Sequence, residues 1–129
     1  MAFVVEIERR TIVIQGLPSP VRATRGLPLI PAGKGVTLVL KIGVAFDDCQ
    51  LTERGWFFDT DATAEIVQEC CDGLSGHVWT EQFEFRPTFE LVARHLYGQL
   101  ASRIPQLAFV ELRDESFGVT TRYSLAAES

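Results

Sequence analysis

Val36, Leu38, Leu40, Ile42, Val44 and Phe46 alternate with Thr37, Val39, Lys41, Gly43 and Ala45. A period of two puts the six large apolar side chains on one face of a strand and leaves small or mixed residues on the other. Each buried apolar side chain contributes roughly 1.5–3 kcal/mol, so this face is expected to anchor whatever helices cover it. Phe3 to Gln15, rich in Val and Ile, predicts a second strand. Arg9-Arg10 interrupts its alternation and suggests a bulge. Between the two, Gly16 to Gly35 contains Pro18, Pro20, Pro28 and Pro31. Proline removes backbone donors and forbids a central strand or a helix interior, so the stretch predicts a long loop.

The second half is punctuated differently. Asp47 to Arg54 is a polar turn, and Trp56-Phe57-Phe58 predicts a short strand. Asp59 or Thr60 is placed to cap a helix, with a side-chain oxygen accepting from orphan amides. Ile66, Val67, Cys70 and Leu74 give that helix its apolar stripe, and Gly73 suits a left-handed stop. Cys70 is thereby expected to fill the core, and Cys71 to be a neutral helix residue. A second helix is expected from the N-cap Thr88, with Glu90 in its first turn where negative charge suits the dipole. Phe89, Val92, Ala93, Leu96, Leu100 and Ile104 follow at helical spacing, and Pro105 ends it. Leu107 to Asp114 and Val119 to Leu125 predict two closing strands. The order β-β-α-α-β-β implies an α+β fold with an antiparallel sheet.

With 129 residues the chain is expected to form one domain, residues 1–129. A hydrophobic content of 47% and a mean hydropathy of +0.13 fit either a generous core or a surface partly buried between subunits. A net charge of −5 argues against nucleic acid or an anionic membrane as partner, since both favour a basic face. No stretch approaches the ~20 apolar residues of a membrane span. Met1-Ala2-Phe3-Val4-Val5-Glu6 lacks the charged start of a secretory signal. Three cysteines at no framework spacing fit free thiols, and the expected location is cytoplasmic.

Candidate chemistry is concentrated between Arg54 and Leu125. In order, the chain reads Gly55-Trp56-Phe57-Phe58-Asp59, Leu74-Ser75-Gly76-His77, Pro87-Thr88-Phe89-Glu90, Val110-Glu111-Leu112-Arg113-Asp114-Glu115-Ser116 and Arg122-Tyr123. This series resembles the 6-pyruvoyltetrahydropterin and 6-carboxytetrahydropterin synthase family. The resemblance implies the tunnelling fold, with two helices on one face of the sheet and oligomerisation into a barrel. It also makes the Gly16 to Gly35 stretch either a lid or a remodelled active-site segment.

The family's chemistry uses a zinc ion held by three histidines, and here the chain departs from the pattern. It has two histidines, His77 and His95, and Ala32-Gly33-Lys34-Gly35-Val36-Thr37 stands where a His-x-His pair belongs. Zinc requires converging ligands at about 2.0–2.3 Å. Cys70 and Cys71 are adjacent and point about 100° apart on a helix, and Cys49 follows the long strand. No metal and no cofactor are expected. The family's Asp-His pair falls on Ser75 and Gly76, leaving His77 one position late, and no cysteine occurs between Gly16 and Gly33. His77 is the remaining candidate for a catalytic base; it reads as a relic of that base, a weak ligand or, in first place, a solvated loop residue.

Two residues carry the ligand-binding expectation. Glu115 matches the carboxylate that grips the 2-amino and ring N–H donors of a pterin; by spacing alone it is an exposed turn acid, with Asp114 as rival. An ionised carboxylate accepts two parallel donors at once. Thr88 matches a threonine beside the heterocycle and is also a helix cap. Glu90 and His95 need no function, Tyr123 matches a family position or simply packs under the final strand, and Arg22, Arg25 and Lys34 could meet an anion or merely line a solvated loop. The leading expectation is a homo-oligomeric protein that binds a pterin- or purine-like molecule without zinc-dependent synthase chemistry. The alternatives are a metal-free aldolase, epimerase or lyase on a similar substrate, and a structural subunit with no pocket.

Overall fold

The structure, a computed structural model, describes residues 3–15 and 35–125. Strands β1 (Phe3–Val13), β2 (Val36–Phe46), β3 (Leu107–Asp114) and β4 (Val119–Tyr123) form an antiparallel sheet in the order β1-β2-β3-β4. Between β2 and β3 run α1 (Thr60–Leu74), the short α2 (Trp79–Gln82) and α3 (Phe89–Ala101). The proline-rich stretch, with Arg22, Arg25 and Lys34, lies outside the described residues.

The alternation in β2 does what its period requires. All six large side chains, Val36 through Phe46, enter the core, together with Leu107, Val110 and Leu112 of β3. Helix α1 covers β1, while α3 covers β3 and β4. Val92, Ala93, Leu96 and Leu100 supply the buried stripe of α3. Asp59 caps α1 by accepting from the Ala62 amide at 3.0 Å, and Thr88 caps α3 by accepting from the Leu91 amide at 3.2 Å.

Five local expectations are corrected. Strand β1 pairs with β2 in unbroken register from Phe3↔Phe46 to Val13↔Val36, so Arg9-Arg10 makes no bulge. The register shift lies instead at Gly43/Val44, between β2 and β3. There the Phe109 ring takes the space that a Cβ on Gly43 needs. Trp56-Phe57-Phe58 forms bends, not a strand, because the Phe57 ring stacks on Phe46 at 4.9 Å and Phe58 meets Phe46 edge-on. Helix α1 runs through Gly73 to bury Leu74, and the chain turns at Ser75 and Gly76, the latter at φ 73°. The α1 row facing the sheet is Thr63, Val67, Cys71 and Leu74, with Cys70 only half-buried. Cys71 is the core cysteine because it faces β1, where Thr11 Oγ1 donates to its carbonyl.

Helix α2 was not foreshadowed by periodicity. It is nucleated by Trp79, which is fully buried with its indole edge-on to Phe83 and Phe89. Val78 just before it bridges to Ile14 in parallel, extending the edge of β1.

Candidate functional site

One end of the sheet collects most of the candidate residues. The last residues of β1 lie beside the first of β2 through Val13↔Val36, and Leu38 pairs with Asp114 at the end of β3. The Glu115 amide donates to the Thr37 carbonyl at 3.0 Å. On the other side of β1, Gly76 N–H donates to Ile12, Ile14 N–H to His77 and Trp79 N–H to Ile14. Gln15 Nε2 reaches the Pro87 carbonyl at 2.9 Å, tying the start of α3 to the same end. His77, Thr88 and Glu115 therefore share an end of the sheet. They do not share a side: Thr88 belongs to the helix layer, whereas Glu115 points to the open face with Arg10 and Arg113.

The tight β3–β4 turn separates the two neighbouring acids. Asp114, in phase with core residues Val110 and Leu112, is buried. Its Oδ1 accepts from the Ser116 amide at 2.9 Å and its carbonyl from Gly118 N–H at 2.8 Å. Burial pushes its carboxyl above the usual range, opposed by the Ser116 and Phe117 amides. Asp114 builds the turn. Glu115 faces outward and accepts from Arg10 Nε at 2.7 Å and Arg10 Nη2 at 3.4 Å, with Arg113 Nη2 3.6 Å away. The hydrogen bond from Arg10 lowers its pKa most, desolvation opposes it, and the charges of Arg10 and Arg113 add to the lowering.

The open face carries more charge than β2 alone suggests. Lys41 Nζ lies 3.7, 3.9 and 3.7 Å from Glu6, Glu8 and Glu111. Arg122 donates to Glu111 Oε1 through Nη2 at 2.8 Å and Nε at 3.1 Å. Its guanidinium also sits 3.8 Å from the centre of the Phe109 ring, a cation–π contact. Glu6, Glu8, Glu111 and Glu115 thus face Arg10, Lys41, Arg113 and Arg122, a balanced set rather than a basic channel. Sequence reasoning missed Arg10, Lys41, Glu111 and Arg122. The signal was the period-two spacing in Glu6-x-Glu8-x-Arg10 and Glu111-x-Arg113-x-Glu115.

His77 is exposed just beyond α1. His95 is half-buried on α3, its ring 5.4 Å from Phe83 and 5.2 Å from Phe85. Tyr123 packs edge-on against Tyr97 under the helix layer. The thiol pKa of Cys70 is pushed up to about 11 and that of Cys71 to about 12, in both cases mainly by burial. Among the described residues no three His, Cys, Asp or Glu side chains are grouped to hold a metal ion.

A four-stranded antiparallel sheet, helices on one face and a charged face left open together define an α+β domain of the tunnelling fold. The chain belongs to the 6-pyruvoyl tetrahydropterin synthase family, whose model matches residues 35–124. It is similar in structure to Caenorhabditis elegans 6-pyruvoyl tetrahydropterin synthase, with a TM-score of 0.68 and 18% identity over 94% of this chain and 95% of that one. That likeness bears on the fold. No curated protein matches the chain in sequence. The zinc that the family implies does not fit the residues present, since two histidines in the whole chain cannot provide three imidazoles within one subunit.

Proposed function

We propose that this family member binds a pterin- or purine-like heterocycle through Glu115 and does not carry out zinc-dependent synthase chemistry. One observation carries the reading. Glu115, at the sheet end shared with Thr88 and His77, is an ionised carboxylate that already receives two donors from one planar guanidinium. A 2-amino-4-oxo heterocycle presents the same paired donors, one ring N–H and one exocyclic amine, and fixed geometry makes such pairs specific. The lost zinc ligands and the single, late-placed His77 leave a binder as the simplest outcome.

The reading includes self-assembly. Among the described residues β4, and β1 from Phe3 to Thr11, are without a strand partner on their outer sides, and Val4 and Val119 are exposed beside them, whereas Ile12 and Ile14 already bond to Gly76, His77 and Trp79. Exposed edges invite strand pairing, so copies joining edge to edge, with helices outward and the charged faces inward, satisfy both features. Free thiols at Cys49, Cys70 and Cys71 suit a reducing, cytoplasmic setting. No helix among the described residues is long and apolar enough to cross a membrane.

Thermal unfolding with pterins and purine bases tests the binding. A ligand at 100 times its Kd adds about 2.7 kcal/mol of stability, so wild type is expected to melt several degrees higher with the matching heterocycle and Glu115→Ala is not. No shift in wild type at millimolar ligand contradicts the proposal.

A further inference from the structure

We propose that Arg10 is a built-in occupant of the Glu115 carboxylate, so that a ligand enters by displacing an internal guanidinium. The inference rests on the reading of Glu115 as the heterocycle anchor and adds how that anchor is guarded. Arg10 Nε and Nη2 take one oxygen each. Two parallel N–H donors on a planar, delocalised C–N frame are also what an aminopyrimidinone edge offers. The resting site is filled by a mimic of the ligand group it is meant to select.

The arrangement favours exchange. Arg10 and Glu115 come from elements separated by β2, and their bond spans the position of Val39, which pairs in register with both Arg10 and Arg113. Val39 is 1% exposed, which places its cover in the side chains around it. Arg10 is the more exposed partner, with 63% of its side chain open against 29% for Arg113. When Arg10 leaves, Arg113 remains 3.6 Å from Glu115 Oε2 and keeps a positive charge beside the carboxylate. Glu8, two residues back on the same face, also attracts Arg10 and offers it an alternative resting partner.

Exposed ion pairs are weak, so the guard is shallow. Apparent affinity falls by the fraction of molecules whose carboxylate is open, and for a pair of this kind that fraction corresponds to about fivefold. Selectivity belongs to the carboxylate itself: a ligand with one donor on that edge replaces one of the two Arg10 bonds, whereas a paired edge replaces both.

Calorimetric titration of the full chain with 2-amino-4-oxopteridine, and with its analogue lacking the 2-amino group, tests this. Arg10→Ala is expected to bind the amino compound about fivefold more tightly than wild type, and the deamino analogue, with one donor for the carboxylate, stays the weaker ligand of both proteins. Arg10→Gln replaces it should the alanine variant unfold. Wild-type binding that depends on Glu115, with equal or weaker affinity in the Arg10 variants, overturns the guard and leaves the heterocycle reading standing. No binding to wild type or to either variant, or binding unchanged by Glu115→Ala, overturns both.

Discussion

Asp114 and Glu115 are consecutive carboxylates whose environments push them in opposite directions, and the sign of each shift gives a pH prediction. Glu115 is lowered by Arg10, so its contribution to stability is present above the unfolded carboxylate range, ~4.3, and is lost as pH falls through the lower folded value. Asp114 is raised by burial, so its favourable contribution exists below the unfolded value, ~3.9, and is lost as pH rises through the folded one. Asp114→Asn keeps an oxygen for the Ser116 amide while removing the charge. Denaturation midpoints taken from pH 3 to pH 7 should therefore move progressively in favour of the variant; a flat or reversed trend contradicts the burial argument. Gly43 is equally specific. Its missing Cβ is the bed of the Phe109 ring, over which Arg122 lies, so Gly43→Ala should cost about 1–3 kcal/mol in urea unfolding. The cysteines separate by environment: Cys49 is exposed, while Cys70 and Cys71 hold their protons to about 11 and about 12. Maleimide labelling of native protein at pH 7.5, a working pH at which thiolate is the reactive form, should modify Cys49 alone within the time that denatured protein is modified at all three.

At the scale of elements, β2, β3 and α3 were legible because each satisfies several local rules at once. A strict period of two set the bounds of β2 and a Thr cap the start of α3, but α3 ends at Ala101 rather than at Pro105, and Ile104 is buried from the turn beyond it. Trp56-Phe57-Phe58 was misread because high β-propensity in aromatic residues reflects packing on a surface, and here the packing partner was Phe46 rather than a neighbouring strand. The α1 stripe was read one residue off at its cysteines, since Ile66-Val67 and Cys70-Cys71 offer two rows of similar hydrophobicity and only contact with β1 selects between them. Short α2 had no periodicity to display. The cap of α3 gives a direct test: Thr88→Ala should lose about 1 kcal/mol of unfolding free energy and Thr88→Ser very little. Unfolding curves that show no loss in the alanine variant contradict the capping role of its hydroxyl.

At the scale of the molecule, the helices lock one face of the sheet and leave, among the described residues, eight charged side chains on the other. That balance was invisible in β2 alone, which contributes only Lys41, and emerges when β1, β3 and β4 are laid beside it in register. Glu115 could be singled out from the sequence, whereas its partners Arg10 and Arg113 required the strand pairing. Solution mass by light scattering should exceed that of the 14.4 kDa chain severalfold, and Val4→Asp on the open part of the β1 edge should reduce it; a monomeric wild type contradicts edge-to-edge assembly. The central claim is a heterocycle anchor that operates without a metal. Its most direct test is calorimetric titration of 2-amino-4-oxopteridine into chelator-treated, metal-free wild type and Glu115→Ala side by side. Binding to the metal-free wild type with none to the variant is the predicted result, while binding that vanishes on chelation or persists in Glu115→Ala contradicts the account.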